Sequence, residues 1–426
     1  MTPNVLVVLT DQQAATAMSC AGNPYLATPA LDALAARGTR FTRAHCTQPL
    51  CTPSRASMLT GRMPTELGVT VNAGRLTGVP AEQQLGRVFT AAGYDCGYAG
   101  KWHVPELAVP AGVGFRRVHG ESEDGLVADC AAFLAEPRDR PYLLVASLTE
   151  PHGICQWARG QTPPSGDVSD VDSAGWPPLP PNFAIGGYDA ELPRIAQARS
   201  PHSYPTAGWD EDRWRRYRFA YHRLCERADA QVGRLLELVD EDTVVVFSAD
   251  HGDQAGAHRW NQKWVLHAES VEVPLIVAAP DGRRGATSDA LVSVGLDLLP
   301  TLCDYAGIGP PQGIPGRSLR PVVTAGTPDG WRDTVYAETE WEVPGVQHLT
   351  GRMVRTDRFR YVCYAWGRHR EQLYDLHADP GEQTNLAPVG SYAGVLADHR
   401  RRLAAHAAGI GDRFTRFVPA ADAPFR

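Results

Sequence analysis

The sequence predicts an α/β protein: a doubly wound, largely parallel central sheet flanked by helices, with a smaller C-terminal α+β subdomain built on an antiparallel sheet. Three observations carry that expectation. Short continuous apolar runs recur along the chain, as strands buried on both faces of a sheet require. Segments of helical period separate these runs, and such alternation implies crossover connections between parallel strands. Beyond about residue 330 the texture changes to short strand-like segments and a helical tail, which suits a second, antiparallel unit.

The elements follow in order. "NVLVVLT" (4–10) is the first buried strand. "TPALDALAARG" (28–38) reads as a helix, with Thr28 as N-cap, Pro29 at the first helical position and Gly38 past the end. "CTPSRASMLTGR" (51–62) places Cys51 at a helix start, with Pro53 in the first turn and Gly61 as terminator. A further helix is predicted over 81–93, leading into the short strand "CGYAG". "PYLLVASL" (141–148), "TVVVFSA" (243–249) and "VPLIVAA" (273–279) are further strands, and 212–241 carries apolar residues at helical spacing. Residues 154–211, rich in Pro, Gly and Ser, break the pattern and read as a long loop region beside the active site. "TVYAETE", "RMVRTDRFRYVCYAW" and "EQLYDL" read as antiparallel strands, with a helix near 391–407. The expected division is therefore 1–330 for the catalytic domain and 331–426 for the C-terminal subdomain.

Composition excludes several classes. With 41 basic against 48 acidic side chains, the chain has no electrostatic footprint for nucleic acid and no polybasic membrane patch. No apolar run approaches the roughly 20 residues of a membrane span. "MTPNVLVVLTDQQ" lacks a basic n-region, and nine scattered cysteines without zinc-type CxxC pairs suit a reducing compartment, so a cytoplasmic protein is expected. Only Lys101 and Lys263 are lysines, which leaves 39 arginines. A chain that keeps a compact ammonium at two places, and a planar fork everywhere else, points to two sites where arginine will not serve.

Polar residues collect just past the predicted strands, where open α/β sheets bind ligands. Asp11 and Gln12 end the first strand; "SADHGD" supplies Asp250 and His251; "YAGKWH" supplies Lys101 and His103; "SLTEPHG" supplies His152; "HRWNQKW" supplies Lys263. Carboxylates converging from separate strand ends suit a divalent cation. Cys51, taken alone, is open to three readings: a buried apolar residue, a thiolate nucleophile, or the precursor of another group.

The chain resembles the type I, formylglycine-dependent sulfatases of the alkaline phosphatase superfamily. Residues 51–62 match the C-x-P-S-R-x-x-x-L-T-G-R motif at each defined position. "TDQQ" (10–13), "GKWH" (100–103), "PHG" (151–153), "ADHG" (249–252) and Lys263 fall in family order, and "EQLYDLHADPGEQTNLA" (371–387) resembles the family's C-terminal segment. The resemblance implies that a maturation enzyme oxidises Cys51 to formylglycine, whose hydrate attacks sulfur with one hydroxyl and expels sulfate with the other. It implies metal ligation by Asp11, Asp250, His251 and the Cys51-derived oxygen, with Gln12 as an additional candidate. Arg55 would steady the hydrated aldehyde, Lys101 and Lys263 would bind sulfate oxygens, His103 would be the base on the second hydroxyl, and His152 would be the acid for the leaving alcohol.

Two positions depart from the commonest pattern: Gln12 stands for an acidic residue and His251 for an amide. Ca²⁺ is the expected ion, with Mg²⁺ or Mn²⁺ as alternatives. The same pair occurs in choline-sulfatase-like enzymes and phosphonate monoester hydrolases. The expected activity is hydrolysis of a sulfate ester on a small carbohydrate, a mono- or oligosaccharide, supported by "AHRWNQK" (257–263). His258, Asn261 and His348 are the expected substrate contacts. A phosphonate monoester or phosphodiester hydrolase using the same site is the alternative, followed by a non-catalytic binding protein. Oligomeric state is left open.

Overall fold

A computed structural model describes residues 2–74, 76, 79–104, 110–169 and 171–425. The strands of its larger part are β1 (Val5–Asp11), β2 (Thr39–Phe41), β3 (Ala44–His45), β4 (Asp95–Gly100), β5 (Arg116–Arg117), β6 (Tyr142–Pro151), β7 (Val244–Ala249), β8 (Leu275–Ala278), β9 (Ala286–Ser288) and β10 (Val292–Ser293). Eight of them form one sheet in the order β5-β4-β6-β1-β7-β8-β2-β9, while β3 and β10 pair separately. Within the main sheet only β8 runs against its neighbours, β7 and β2; the remaining pairs are parallel. The sheet is thus largely parallel, as the continuous apolar runs predict.

Every residue of β1 and β7 is buried, which is why neither run shows polar alternation. Val5, Val7 and Leu9 face one apolar cluster, and Leu6 and Val8 face another on the opposite side of the sheet. Helix Pro29–Arg37 and the long helix Glu211–Leu236 cover the second face; Leu31, Leu34, Ala228 and Val232 supply the contact. Helix Cys51–Thr60 has all ten residues buried and ends at Gly61, whose φ of 69° is the left-handed conformation a helix stop favours. The expected helix over 81–93 is split. A 3₁₀ turn at Ala81–Gln83 precedes helix Leu85–Ala91, because Gln84 is extended and serves as the second element's N-cap.

The segment 154–211 is not structureless. It forms helices Ile154–Ala158 and Glu191–Arg199, and its Tyr204 hydroxyl donates to the Lys263 carbonyl at 3.4 Å. Beyond it, β11 (Thr334–Glu340), β12 (Thr350–Thr356), β13 (Phe359–Tyr364) and β14 (Glu371–Asp375) form an antiparallel meander. Helix Ala393–Gly409 packs on it through Leu396 and Leu403, and its buried Arg400 grips Glu371 at 2.7 Å. Among the described residues, no helix is long and apolar enough to cross a membrane.

The order of the central strands places the chemistry. β4, β6, β1 and β7 lie side by side and parallel, so their carboxyl ends open on one edge. Lys101, His152, Asp11 and Asp250 follow or end these strands in that order. Gly100 makes the turn into Lys101 at φ +88°, and a Cβ there would lie 2.0 Å from the Ser147 carbonyl oxygen. Gly93 shares that φ but has open space around it. Gly93→Ala should therefore cost about 1 kcal/mol from backbone strain alone. Gly100→Ala should cost at least about 2 kcal/mol more, because β6 must also shift. Urea unfolding of the two variants checks the difference.

Candidate active site

The site is built around a pair of carboxylates. Asp11 and Asp250 are fully buried at the ends of adjacent strands, and Arg55 bridges them. Arg55 Nε donates to Asp250 Oδ2 at 2.8 Å and Nη2 to Asp11 Oδ2 at 3.1 Å, while Nη1 donates to the Lys101 carbonyl at 2.9 Å and to Ser147 Oγ at 2.8 Å. Lys101 Nζ stands 2.7 Å from Asp11 Oδ2. The remaining Asp250 oxygen accepts the backbone N–H groups of Gln12 and His251 at 3.1 and 2.9 Å. Ser54 Oγ donates to the Asp250 carbonyl at 2.6 Å, which ties the Cys51 helix to β7 a second time.

Cys51 lies over this pair. Its Sγ is 3.2 Å from Lys263 Nζ, 3.2 Å from His251 Nε2 and 3.8 Å from Asp11 Oδ1. His251 Nδ1 is 3.0 Å from the Gly252 carbonyl, an acceptor only, so Nδ1 carries a proton; burial lowers the imidazole, but Asp250 and Cys51 prevail and push it up. Burial and Asp11 push the Cys51 thiol up, but Lys263, Lys101 and His251 outweigh them and hold it well below the ordinary thiol value. Burial likewise raises Asp11, and Lys101, His152, Lys263 and Arg55 together hold its carboxyl well below the usual range. In Asp250, burial and the Asp11 charge prevail and push the carboxyl up.

Donor atoms of Asp11, Cys51, Asp250 and His251 lie within 4.8 Å of one another, all on buried residues. Two carboxylates, a sulfur and an imidazole whose Nε2 faces them form a donor set that fits a divalent cation. Gln12 is held differently. At φ 71°, its Oε1 accepts from Lys263 Nζ at 2.7 Å and from the Cys155 thiol at 3.4 Å, and its Nε2 donates to Asp253 at 2.7 Å. Its amide thus positions Lys263 beside the sulfur.

His103 and His152 stand with Lys101 on the wall of a cleft of about 730 Å³. His103 adopts φ 47°, and among the described residues its buried Nδ1 has no hydrogen-bond partner. Thr52 Oγ1 donates to its carbonyl at 2.8 Å, which joins it to the Cys51 helix. Burial, then Lys101 and Lys263, lower His152 to about 4. A smaller pocket of about 110 Å³ lies beside the start of that helix, lined by Leu50, Asn72, Trp264 and Trp341.

Three expected substrate contacts are not joined to this cluster; among the described residues, none bonds to Cys51, Lys263 or the two carboxylates. His258 is buried and stacks on His267 at 3.9 Å. Asn261 Nδ2 donates to the Ser203 carbonyl at 3.4 Å. His348 is exposed beside Phe417 and Arg416. His258, Arg259, Gln262 and Trp264 all have left-handed backbones, which turn successive side chains of the stretch "AHRWNQK" into different surroundings. Conversely, sequence reasoning missed Ser147, which accepts from Arg55, and Asn72, whose Oδ1 accepts the Thr52 N–H at 3.2 Å. Ser147 at least sits near the end of a recognisable strand; Asn72 carries no local signal.

Comparison with known proteins agrees with this geometry. The profile of the family described as Sulfatase matches residues 3–308, and that described as N-sulphoglucosamine sulphohydrolase, C-terminal, matches 256–408. The chain is 30% identical to a Delta 4,5-hexuronate-2-O-sulfatase of Bacteroides thetaiotaomicron, over 94% of this chain and 88% of that protein. It is 29% identical to an ulvan-active sulfatase of Formosa agariphila, over 97% and 82%. The solved structure of a 2-O glycosaminoglycan sulfatase superposes with a TM-score of 0.86 at 30% identity, covering 99% of this chain and 95% of that one.

Arg55 is the brace that lets two buried carboxylates coexist. Arg55→Met should cost about 3–5 kcal/mol in unfolding free energy, the usual result of stranding buried charge. Arg55→Lys should recover part of the stability but little activity, since an ammonium cannot span both carboxylates. Denaturant titration and turnover, measured on all three proteins, check both statements.

Proposed function

We propose, from the premise that the chain belongs to the sulfatase family and is a sulfuric ester hydrolase, that it removes sulfate from a small sulfated carbohydrate with a formylglycine made from Cys51. The observation that carries this reading is the position of Cys51: at a helix start, between Lys263 and His251, above two carboxylates braced by Arg55. A maturation enzyme would oxidise the thiol to the aldehyde. In its hydrate, one hydroxyl attacks sulfur and the bond from sulfur to the sugar oxygen breaks. His152, with Lys263, delivers a proton to the departing oxygen. His103 removes the proton of the second hydroxyl, the carbon–oxygen bond to sulfate breaks, and the aldehyde returns.

A divalent cation held by Asp11, Asp250 and His251, with Gln12 beside them, would lower the pKa of the attacking hydroxyl and offset the charge of the sulfate. Ca²⁺ is the ion proposed, and the imidazole of His251 also suits Mn²⁺. Lys101 and Lys263 would hold sulfate oxygens, and Arg55 would steady the hydrate. The neutral state that burial gives His152 changes on binding: a sulfate between the two lysines cancels the positive field that depresses its pKa. The catalytic part is assigned to 1–330 and the subdomain to 331–426, a division supported by the change from the largely parallel sheet to the antiparallel one. Nine unpaired cysteines support a reducing, cytoplasmic setting.

The carbohydrate class is supported by relatives named for action on hexuronate, ulvan and glycosaminoglycan sulfates. A second reading, phosphonate monoester hydrolysis, is favoured by one observation, the Gln12 and His251 pair. An aryl sulfate and an aryl phosphonate, turned over side by side and followed by defined sulfated mono- and disaccharides, separate the readings. Protein whose residue 51 carries an aldehyde by peptide mass spectrometry should hydrolyse the sulfate faster. Cys51→Ser should lose at least about 10³ in kcat/KM, because serine lacks the second hydroxyl. Full activity from unmodified cysteine would refute the mechanism.

The two lysines provide a further check. Both are buried and close to anionic atoms, with Lys101 at 2.7 Å from Asp11 and Lys263 at 3.2 Å from Cys51. A guanidinium keeps the charge but is too wide for either place. Lys101→Arg and Lys263→Arg should each lower kcat/KM at least tenfold, given that one preorganised electrostatic partner is typically worth about 10²–10³. Steady-state kinetics alongside an unchanged melting temperature would establish it.

A further inference from the structure

We infer a second metal site, a structural zinc-type centre made by His258, His267 and Glu382, which clamps the loop carrying Lys263. One ligand atom from each residue lies within 4.8 Å of the others, and all three residues are buried. His267 Nδ1 is buried, has no hydrogen-bond partner among the described residues and lies 3.5 Å from Glu382 Oε2. That separation is the edge of a tetrahedron whose bonds are about 2.1 Å, the length usual for zinc with nitrogen and oxygen. The two imidazoles stack at 3.9 Å, and His258 Nδ1 and Nε2 lie 3.2 Å from Gln383 Nε2 and 3.5 Å from Asn182 Nδ2, so His258 must turn away from these amides to ligate.

Glu269, Glu272 and Glu382 face Arg360 and Arg355, while nearby Arg194 is already paired with Asp189. Arg360 takes Oε1 of Glu382, which leaves Oε2 for a cation and for the Ala268 N–H at 2.9 Å. Glu269 Oε2 is buried without a partner, and Glu269, Asn182 and Gly381 also line a surface pocket of about 460 Å³ that offers an entry path. Two imidazoles and a carboxylate favour Zn²⁺ over Ca²⁺, whereas the Asp11 and Asp250 site is richer in oxygen.

A clamp at this point has a structural purpose. Lys263 lies between the two histidines, on a stretch where His258, Arg259, Gln262 and Trp264 have φ of 53°, 56°, 62° and 79°. Non-glycine residues in that region store strain of order 1–3 kcal/mol each, and they persist only where the surroundings over-determine them. An ion bound at both ends of the loop and to Glu382, beyond β14, supplies that constraint.

The test counts metal, and it does not depend on the proposed activity. Enzyme equilibrated with excess Ca²⁺ and then titrated with Co²⁺ should bind one Co²⁺ per chain, with the visible band of a tetrahedral nitrogen–oxygen site and no thiolate charge transfer. His267→Gln should lose that equivalent, as should His258→Gln, and Zn²⁺ should displace the cobalt. Zn²⁺ should also raise the melting temperature of the wild type but not of the variants. Absence of the band in wild-type enzyme, or its retention in a folded His267→Gln variant, overturns the site.

Discussion

Two carboxylates at the ends of neighbouring strands cannot sit in a water-free site unaided, because like charges a few ångströms apart repel by about 4 kcal/mol even at an effective dielectric of 20. Arg55 resolves the conflict, since its planar fork reaches both Asp11 and Asp250 while its third nitrogen holds the Lys101 carbonyl and Ser147. One side chain thereby ties β1, β6, β7 and the turn after β4 to the Cys51 helix. Cys51 and Arg55 are four residues apart and share a helix face. The brace therefore also fixes the Cys51 sulfur above the carboxylates, and the position of residue 51 follows from the fold.

Legibility in the sequence follows the same logic. The central strands are legible because continuous burial leaves no polar alternation, and the residues just past them must surface at the edge of a parallel sheet. Asp11, Lys101, His152 and Asp250 could be found in that way. The motif around Cys51 has the same directness, since a helix start, a proline and a stop glycine act locally. Side chains within the Lys263 loop were not legible. A run of left-handed residues sends His258 to His267 and Asn261 to Ser203, a dispersal that the stretch "AHRWNQK" does not announce. Asn72 and Ser147 were hidden for another reason: each acts through a backbone or guanidinium contact that only the folded chain creates. The extended Gln84 likewise divided a segment that composition alone reads as one helix.

Charge balance explains why lysine survives at two positions in an arginine-rich chain. Around Cys51, Arg55, Lys101 and Lys263 face Asp11, Asp250 and the sulfur, so the ligand-free cluster is close to neutral when the thiol is ionised. Arg55 occupies the structural role, where breadth is useful. Lys101 and Lys263 occupy tight spaces beside Asp11 and the Gln12 amide, where a point charge with free rotation can turn from a protein oxygen to a ligand oxygen. The network around Gln12 makes that turn well defined. Asp253 and Tyr217 hold the amide in one orientation, so its oxygen always faces Lys263.

The remaining step concerns proton supply. A site that keeps His152 neutral is ill suited to supply an acid, yet the causes of that neutrality are burial and the two lysine charges. Burial is permanent, whereas the lysine field is not. An anion seated between Lys101 and Lys263 removes the net positive potential at the imidazole and adds a negative neighbour, so the ring gains basicity only when substrate is present. Proton capture by His152 is then coupled to occupancy of the site by the anion. On the proposed roles, the two ammonium groups that would orient the sulfate also set the protonation state of His152, the proposed acid for the leaving alcohol.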